Sequence, residues 1–120
     1  MEIPKIFESE YRFCLILWEH EPLNSTKLVE LCREKLGWSK ATTYTVIRRL
    51  AERGVLVNEN TIVRALITKE EAQASRVEEM VEETFQGDLP AFIAAFARGR
   101  KLSRQEADQL KAMIDAYGEE

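Results

Sequence analysis

"GWSKATTYTVIRRLAERGVL", residues 37–56, has a glycine on either side of one amphipathic helix. Ser39 is the type of residue whose oxygen accepts the first free backbone N–H groups of a helix, and Gly54 can take the left-handed conformation that ends one. A helix over 40–53 follows. Thr43, Val46, Ile47 and Leu50 share one side at helical spacing, while Ala41, Tyr44, Thr45, Arg48 and Glu52 share the other. The first side suits a core. The second is rich in hydroxyls and carries cations.

Upstream, residues 8–20 read as a helix with an apolar stripe through Phe7, Tyr11, Cys14, Leu15 and Trp18. "EPLN" breaks that pattern, because proline disfavours helix for the residue before it. Asn24 caps a second helix whose stripe is Leu28, Leu31, Cys32 and Leu36, and Gly37 stops it. Trp38 is expected to wedge between the second helix and the third. Downstream, "VLV" and "IVRALI" flank "NENT" and read as a short β-hairpin.

From Thr68 the period is helical again. "TKEE" is a capping box, and Ala74, Val77, Met80, Val81 and Phe85 form a sparse stripe behind it. "QGDLP" interrupts. "LPAFIAAFARG" is short and apolar, and "SRQE" at Ser103–Glu106 opens a last helix. The expected fold is mostly α with a small β-hairpin: a winged helix-turn-helix domain over 1–68 and a helical dimerisation arm over 69–120.

Composition narrows the possibilities. The 120-residue chain is 45% hydrophobic and 32% charged, as suits one compact domain with or without a helical arm. No apolar run nears the roughly 18 residues that span a bilayer, and "MEIPKIFESEY" lacks the look of a secretion signal, so a cytoplasmic protein with no membrane insertion is expected. Cys14 and Cys32 lie among apolar neighbours and read as small core residues rather than as a redox pair. One histidine, His20, cannot build a multi-imidazole metal cage, and its place at a helix end suits an exposed or capping role. No cofactor is expected. With no glycine-rich phosphate loop either, an enzyme is the weakest reading.

The formal net charge of −4 argues against a nucleic-acid partner only until its distribution is considered. Residues 39–56 hold four cations, Lys40, Arg48, Arg49 and Arg53, against Glu52 alone. Residues 69–88 hold two cations against seven carboxylates. Binding follows the local field.

Two helices, a third with a basic and hydroxyl-rich outer face, then a hairpin: this order is the winged helix-turn-helix plan, in which the third helix enters the major groove of DNA. Arginine can bond guanine through two hydrogen bonds, and Ala and Thr suit the thymine methyl. Ser39 and the helix N-terminus suit a phosphate. Arg49 and Arg53 lean to the flanks, where phosphate contact is expected. The expected DNA-binding set is Ser39, Lys40, Ala41, Thr42, Tyr44, Thr45, Arg48, Arg49 and Arg53, with Arg64 from the hairpin. Set against this, Arg48 could pair only with Glu52 one turn away, and Tyr44 could cover core at the helix margin. A protein-interaction adaptor or antirepressor on the same scaffold is the alternative function.

The same stretch resembles the recognition segment of the penicillinase-repressor (BlaI/MecI) family, W-S-x-x-T-x-x-T-x-x-x-R-L followed by G. Trp38, Ser39, Thr42, Thr45, Arg49, Leu50 and Gly54 fill those places. "IPKIFESEYRFCLILWEH" is similar to the family's opening through Ile3, Ser9, Glu10 and Trp18. The arm is similar through Phe85, Gly87, Leu89, Phe96 and Leu102. The resemblance implies a homodimeric repressor on a palindromic double-stranded DNA operator. It also implies a link to a membrane sensor-protease, which in β-lactam systems leads to cleavage of the arm.

Phe85, Leu89, Phe92, Ile93, Phe96, Leu110, Met113, Ile114 and Tyr117 are expected to form the dimer contact. Burying each large apolar group is worth about 1.5–3 kcal/mol, too much for short helices to forgo. The chain also departs from the family. Phe96 follows Ala95, where the cleaved members have Asn, and the C-terminus "MIDAYGEE" lacks the Cys-x-Cys pairs of copper-responsive relatives, so copper sensing is not expected. "NENTIVRALI" offers Arg64 where many relatives place Gly-Arg and a tyrosine.

Overall fold

Both ends of the third helix form as their residues dictate. In a computed structural model, which describes residues 2–118, the helix spans Lys40–Glu52 with Ser39 as its N-cap and Gly54 at φ +82° just beyond it. The elements are α1 (Glu8–His20), β1 (Leu23–Asn24), α2 (Ser25–Leu36), α3 (Lys40–Glu52), β2 (Leu56–Glu59), β3 (Ile62–Ala65), α4 (Lys69–Phe85), α5 (Leu89–Gly99) and α6 (Arg104–Tyr117). The chain divides into two compact units between Val77 and Glu78.

In the first unit, α1, α2 and α3 enclose a core with the sheet. Phe13, Leu17, Leu28, Leu50, Val55, Leu56 and Val63 are fully buried there. Thr43, Val46, Ile47 and Leu50 supply α3's share, as their spacing predicts. Asn24 accepts from Thr26 N–H and Gly37, at φ +71°, closes α2.

Four details differ from the sequence reading. The buried face of α1 is Glu10, Phe13, Cys14, Ile16 and Leu17, whereas Phe7 and Leu15 are exposed. Two helical series cross at Cys14, and the buried one contains a carboxylate that hydrophobic periodicity discounts. Tyr11 and Trp18 do pack on the core, edge to face with ring centroids 5.8 Å apart, and Trp18 Nε1 donates to the Ile67 carbonyl at 3.0 Å. Trp38 stacks on Phe13 of α1, with planes 7° apart, rather than acting only between α2 and α3. The sheet has three strands in the order β1-β3-β2, because Leu23 and Asn24, which read as a helix break and an N-cap, also pair with Val63 and Ile62. The β2–β3 turn is also tighter than "NENT" suggests. Asn58 and Glu59 belong to β2, and only Asn60 and Thr61 turn, at φ +52° and +67°.

The Thr68–Glu71 capping box forms as read: Glu71 N–H donates to Thr68 Oγ1 at 3.0 Å and Thr68 N–H to Glu71 Oε1 at 2.8 Å. Ala72 joins the first unit's core. The stripe read for α4 is not a buried face, since Ala74, Val77 and Met80 are exposed. Val81 alone of that series is buried, and Phe85 meets Phe92 edge to face at 5.7 Å.

In the second unit, Asp88 caps α5 and Ser103 caps α6 with Glu106 reaching back, so both short helices have satisfied first turns. The Ser103 N–H bond and the Arg100 guanidinium hold the Glu106 carboxyl below its ordinary value. Among the described residues, none on α5 or α6 is buried. Between these helices an open, mostly apolar cavity of about 580 Å³ is lined by Phe96, Leu102, Leu110 and Met113, with Arg100 and Glu106 at its polar edge.

Candidate nucleic-acid interface

The outer side of α3 is built from its cap outward. Ser39 Oγ accepts from Thr42 N–H at 3.1 Å and donates to Thr42 Oγ1 at 3.0 Å. Thr43 Oγ1 donates to the Ser39 carbonyl at 3.0 Å, which lets a buried hydroxyl sit in the core without an unmet bond. Thr45 Oγ1 donates to the Ala41 carbonyl at 2.9 Å. Its proton is thereby committed, and it offers acceptor lone pairs and a methyl to anything that approaches.

Ser39, Lys40, Ala41, Thr42, Arg48 and Arg49 are all exposed, and Thr45 is half-buried. Arg48 does not pair with Glu52: the side-chain ion pairs of the described residues lie elsewhere. These positions therefore form one exposed face, with Lys40 at its N-terminal end and Arg48 and Arg49 towards its C-terminal end.

Three of the expected residues have side-chain partners on other elements. Tyr44 is half-buried against the core, and its hydroxyl shares a 3.2 Å hydrogen bond with Ser25 Oγ. Arg53 forms an ion pair with the buried Glu10, donates to the Lys5 carbonyl at 2.7 Å, and lies over the Phe7 ring at 5.3 Å. Arg64 lies on β3 and pairs loosely with Glu59 at 3.4 Å, which dilutes the hairpin's cation. Sequence reasoning missed Glu10 as Arg53's partner. The available signal was a glutamate three residues into a helix with no hydroxyl cap, which here accepts from Phe7 N–H at 2.9 Å. It also missed Glu21, whose Oε1 accepts from Ala65 N–H at 2.7 Å, and Ser25, for which no signal in the sequence exists.

The cysteine thiols are free and buried. Burial, with the Glu10 carboxylate adding to it, pushes Cys14 up to about 12. Burial pushes Cys32 up to about 11, against the pull of the Thr43 side chain. His20 ends α1, with Nδ1 3.0 Å from the Ile16 carbonyl. No helix among the described residues is long and apolar enough to cross a membrane.

Three helices with a three-stranded sheet and an exposed, cationic third helix define a winged helix-turn-helix protein. The family profile described as penicillinase repressor matches residues 6–116, and the chain belongs to that family. It is 22% identical over 121 residues to the penicillinase repressor of Bacillus licheniformis, covering 97% of this chain and 94% of that one. It is 20% identical over 115 residues to the methicillin resistance regulatory protein MecI of Staphylococcus aureus, covering 92% and 94%. Among solved structures, monomeric BlaI from Bacillus licheniformis in complex with the blaP half-operator superposes with a TM-score of 0.51. That match has 23% identity and covers 58% of this chain and 90% of that one. The DNA-binding domain of the repressor BlaI gives the same values. Both likenesses show the fold.

Proposed function

We propose that this protein is a transcriptional repressor that lays α3 in the major groove of a palindromic operator and acts as a homodimer. The observation that carries the reading is the outer face of α3. Lys40, Arg48 and Arg49 are exposed on a helix whose opposite side is locked into a core. Ser39, Lys40, Ala41, Thr42 and Thr45 meet bases and nearby phosphates, Arg48 reaches a base edge, and Arg49 neutralises a phosphate. Arg64 adds a weaker wing contact. Arg53 serves the fold through Glu10 rather than the DNA.

DNA contact belongs to residues 1–68 and self-association to 69–120. Supporting the second assignment, α5 and α6 leave Leu89, Ile93, Phe96, Leu110, Met113, Ile114 and Tyr117 exposed in the single chain. Phe85 and Phe92, half-buried against each other, complete that surface. Two half-sites about one turn of duplex apart demand two recognition helices, and a twofold dimer supplies them. The protein works in the cytoplasm, where its operator is. In the family's β-lactam systems a membrane sensor-protease signals to the repressor, and Ala95 before Phe96 removes the Asn-Phe bond that the cleaved members present.

Selection of bound sites from random duplexes tests the reading. A palindrome should emerge, with binding that weakens steeply with salt. Arg49→Ala should weaken all duplexes alike and lower the salt slope by about one. If the purified protein shows no salt-dependent duplex binding at low ionic strength, the reading is wrong.

A further inference from the structure

The β2–β3 turn is held in a conformation its residues resist. Asn60 and Thr61 both have positive φ, at +52° and +67°. Asparagine tolerates this, but a β-branched threonine is a true outlier there, and a relaxed two-residue turn would place glycine at the second position. Such strain persists where surrounding bonds over-determine it. Two of those bonds are visible: Ser25 N–H donates to the Thr61 carbonyl at 2.7 Å, and Asn24 Nδ2 donates to Thr61 Oγ1 at 3.1 Å. They come from Asn24, the N-cap of α2, and from Ser25, its first residue.

That anchor is itself fastened to the recognition helix. Ser25 is buried, 4% exposed, and its hydroxyl shares the 3.2 Å bond with Tyr44 from α3. The chain of contacts runs from the wing turn through Ser25 to Tyr44, so it crosses from Thr61 to α3 in three residues. Among the described residues no buried side-chain polar atom lacks a hydrogen-bond partner, and this bond contributes to that balance.

We propose that Tyr44 is a positioning residue, a strut that fixes the wing turn relative to the recognition helix through Ser25, and not a reader of bases. The inference rests on the DNA-binding reading of α3. It predicts that the phenolic hydroxyl governs how well wing and helix are held for simultaneous contact with duplex, while base preference is set by Thr45 and Arg48.

The test uses the full chain with Tyr44→Phe, Ser25→Ala and the double variant. Tyr44→Phe keeps the ring that packs on the core. In the free protein, amide exchange at Ser25, whose N–H is the bond to the turn, should quicken about two- to tenfold in Tyr44→Phe. On the duplex selected with the unaltered protein, each single variant should bind about two- to tenfold more weakly with an unchanged ranking of base substitutions. The double variant should be no weaker than the worse single. Unchanged protection at Ser25 overturns the strut whatever the DNA results. A shifted base ranking for Tyr44→Phe, or additive losses in the double variant, overturns it as well. Absence of duplex binding by the unaltered protein would instead sink the repressor reading and leave the exchange measurement to decide the strut.

Discussion

Residues up to Val77 and residues from Glu78 on spend their apolar side chains differently. The first unit closes round Phe13, Leu17, Leu28, Leu50 and Val63, each at or near zero exposure. The second has helices with well-formed caps and sharply divided faces, yet Phe96 is 48% exposed, Met113 55% and Ile114 60%. Amphipathic patterning specifies a face; a second surface is needed to bury it. Three helices and a sheet provide that surface within one unit, and two short helices do not.

Substitutions on each side of this contrast should behave differently, and the largest response is expected in the closed core. Leu50→Ala should cost roughly 2–5 kcal/mol in denaturant unfolding, because α3 loses a contact at the centre of its buried side. Little loss there would mean that the core is looser than its burial implies. Glu10→Ala should cost about 2–4 kcal/mol, since it strands Arg53 and removes the acceptor for Phe7 N–H. It should also loosen the segment that Arg53 holds through the Lys5 carbonyl.

In the second unit, Ile114→Asp should leave the unfolding of the first unit unchanged while shifting sedimentation towards the monomer, by about 1.5–3 kcal/mol per chain. A monomeric unaltered protein would remove the dimer proposal. Alkali probes the closed core again. Unfolded thiols lose their protons near 9.0, whereas Cys14 and Cys32 hold theirs to about 12 and about 11. The native chain thus binds more protons between those values, so its stability is complete below pH 9 and falls as pH rises towards 12. Replacing both cysteines with alanine should flatten that part of the melting-temperature profile. Arg64→Ala should change stability by less than about 1 kcal/mol, as its pair with Glu59 is exposed.

Local signals carried most of the fold. Ser39, Asn24, Thr68 and Ser103 each announced a helix start, because capping depends on neighbours within three residues. The buried side of α3 was equally legible from Thr43, Val46, Ile47 and Leu50. What failed depended on distant partners. The α1 face was misplaced because Glu10 is buried by Arg53, 43 positions away. The strand at Leu23–Asn24 was missed because two residues show no period; only Ile62 and Val63 make them a strand. For the interface, the exposed residues of α3 are readable from spacing; Tyr44 can face either bases or core on that spacing, and its distant partner Ser25 decides for the core.

The two thiols have one more consequence, a practical one. Cys14 and Cys32 are the chain's complete set of cysteines, and each is a neutral, enclosed group at neutral pH. A maleimide dye or spin label added to the folded protein should pass them by, so a single cysteine introduced at an exposed site such as Glu52 would take the probe alone. Distances between probes on two chains then become measurable without first rebuilding the interior.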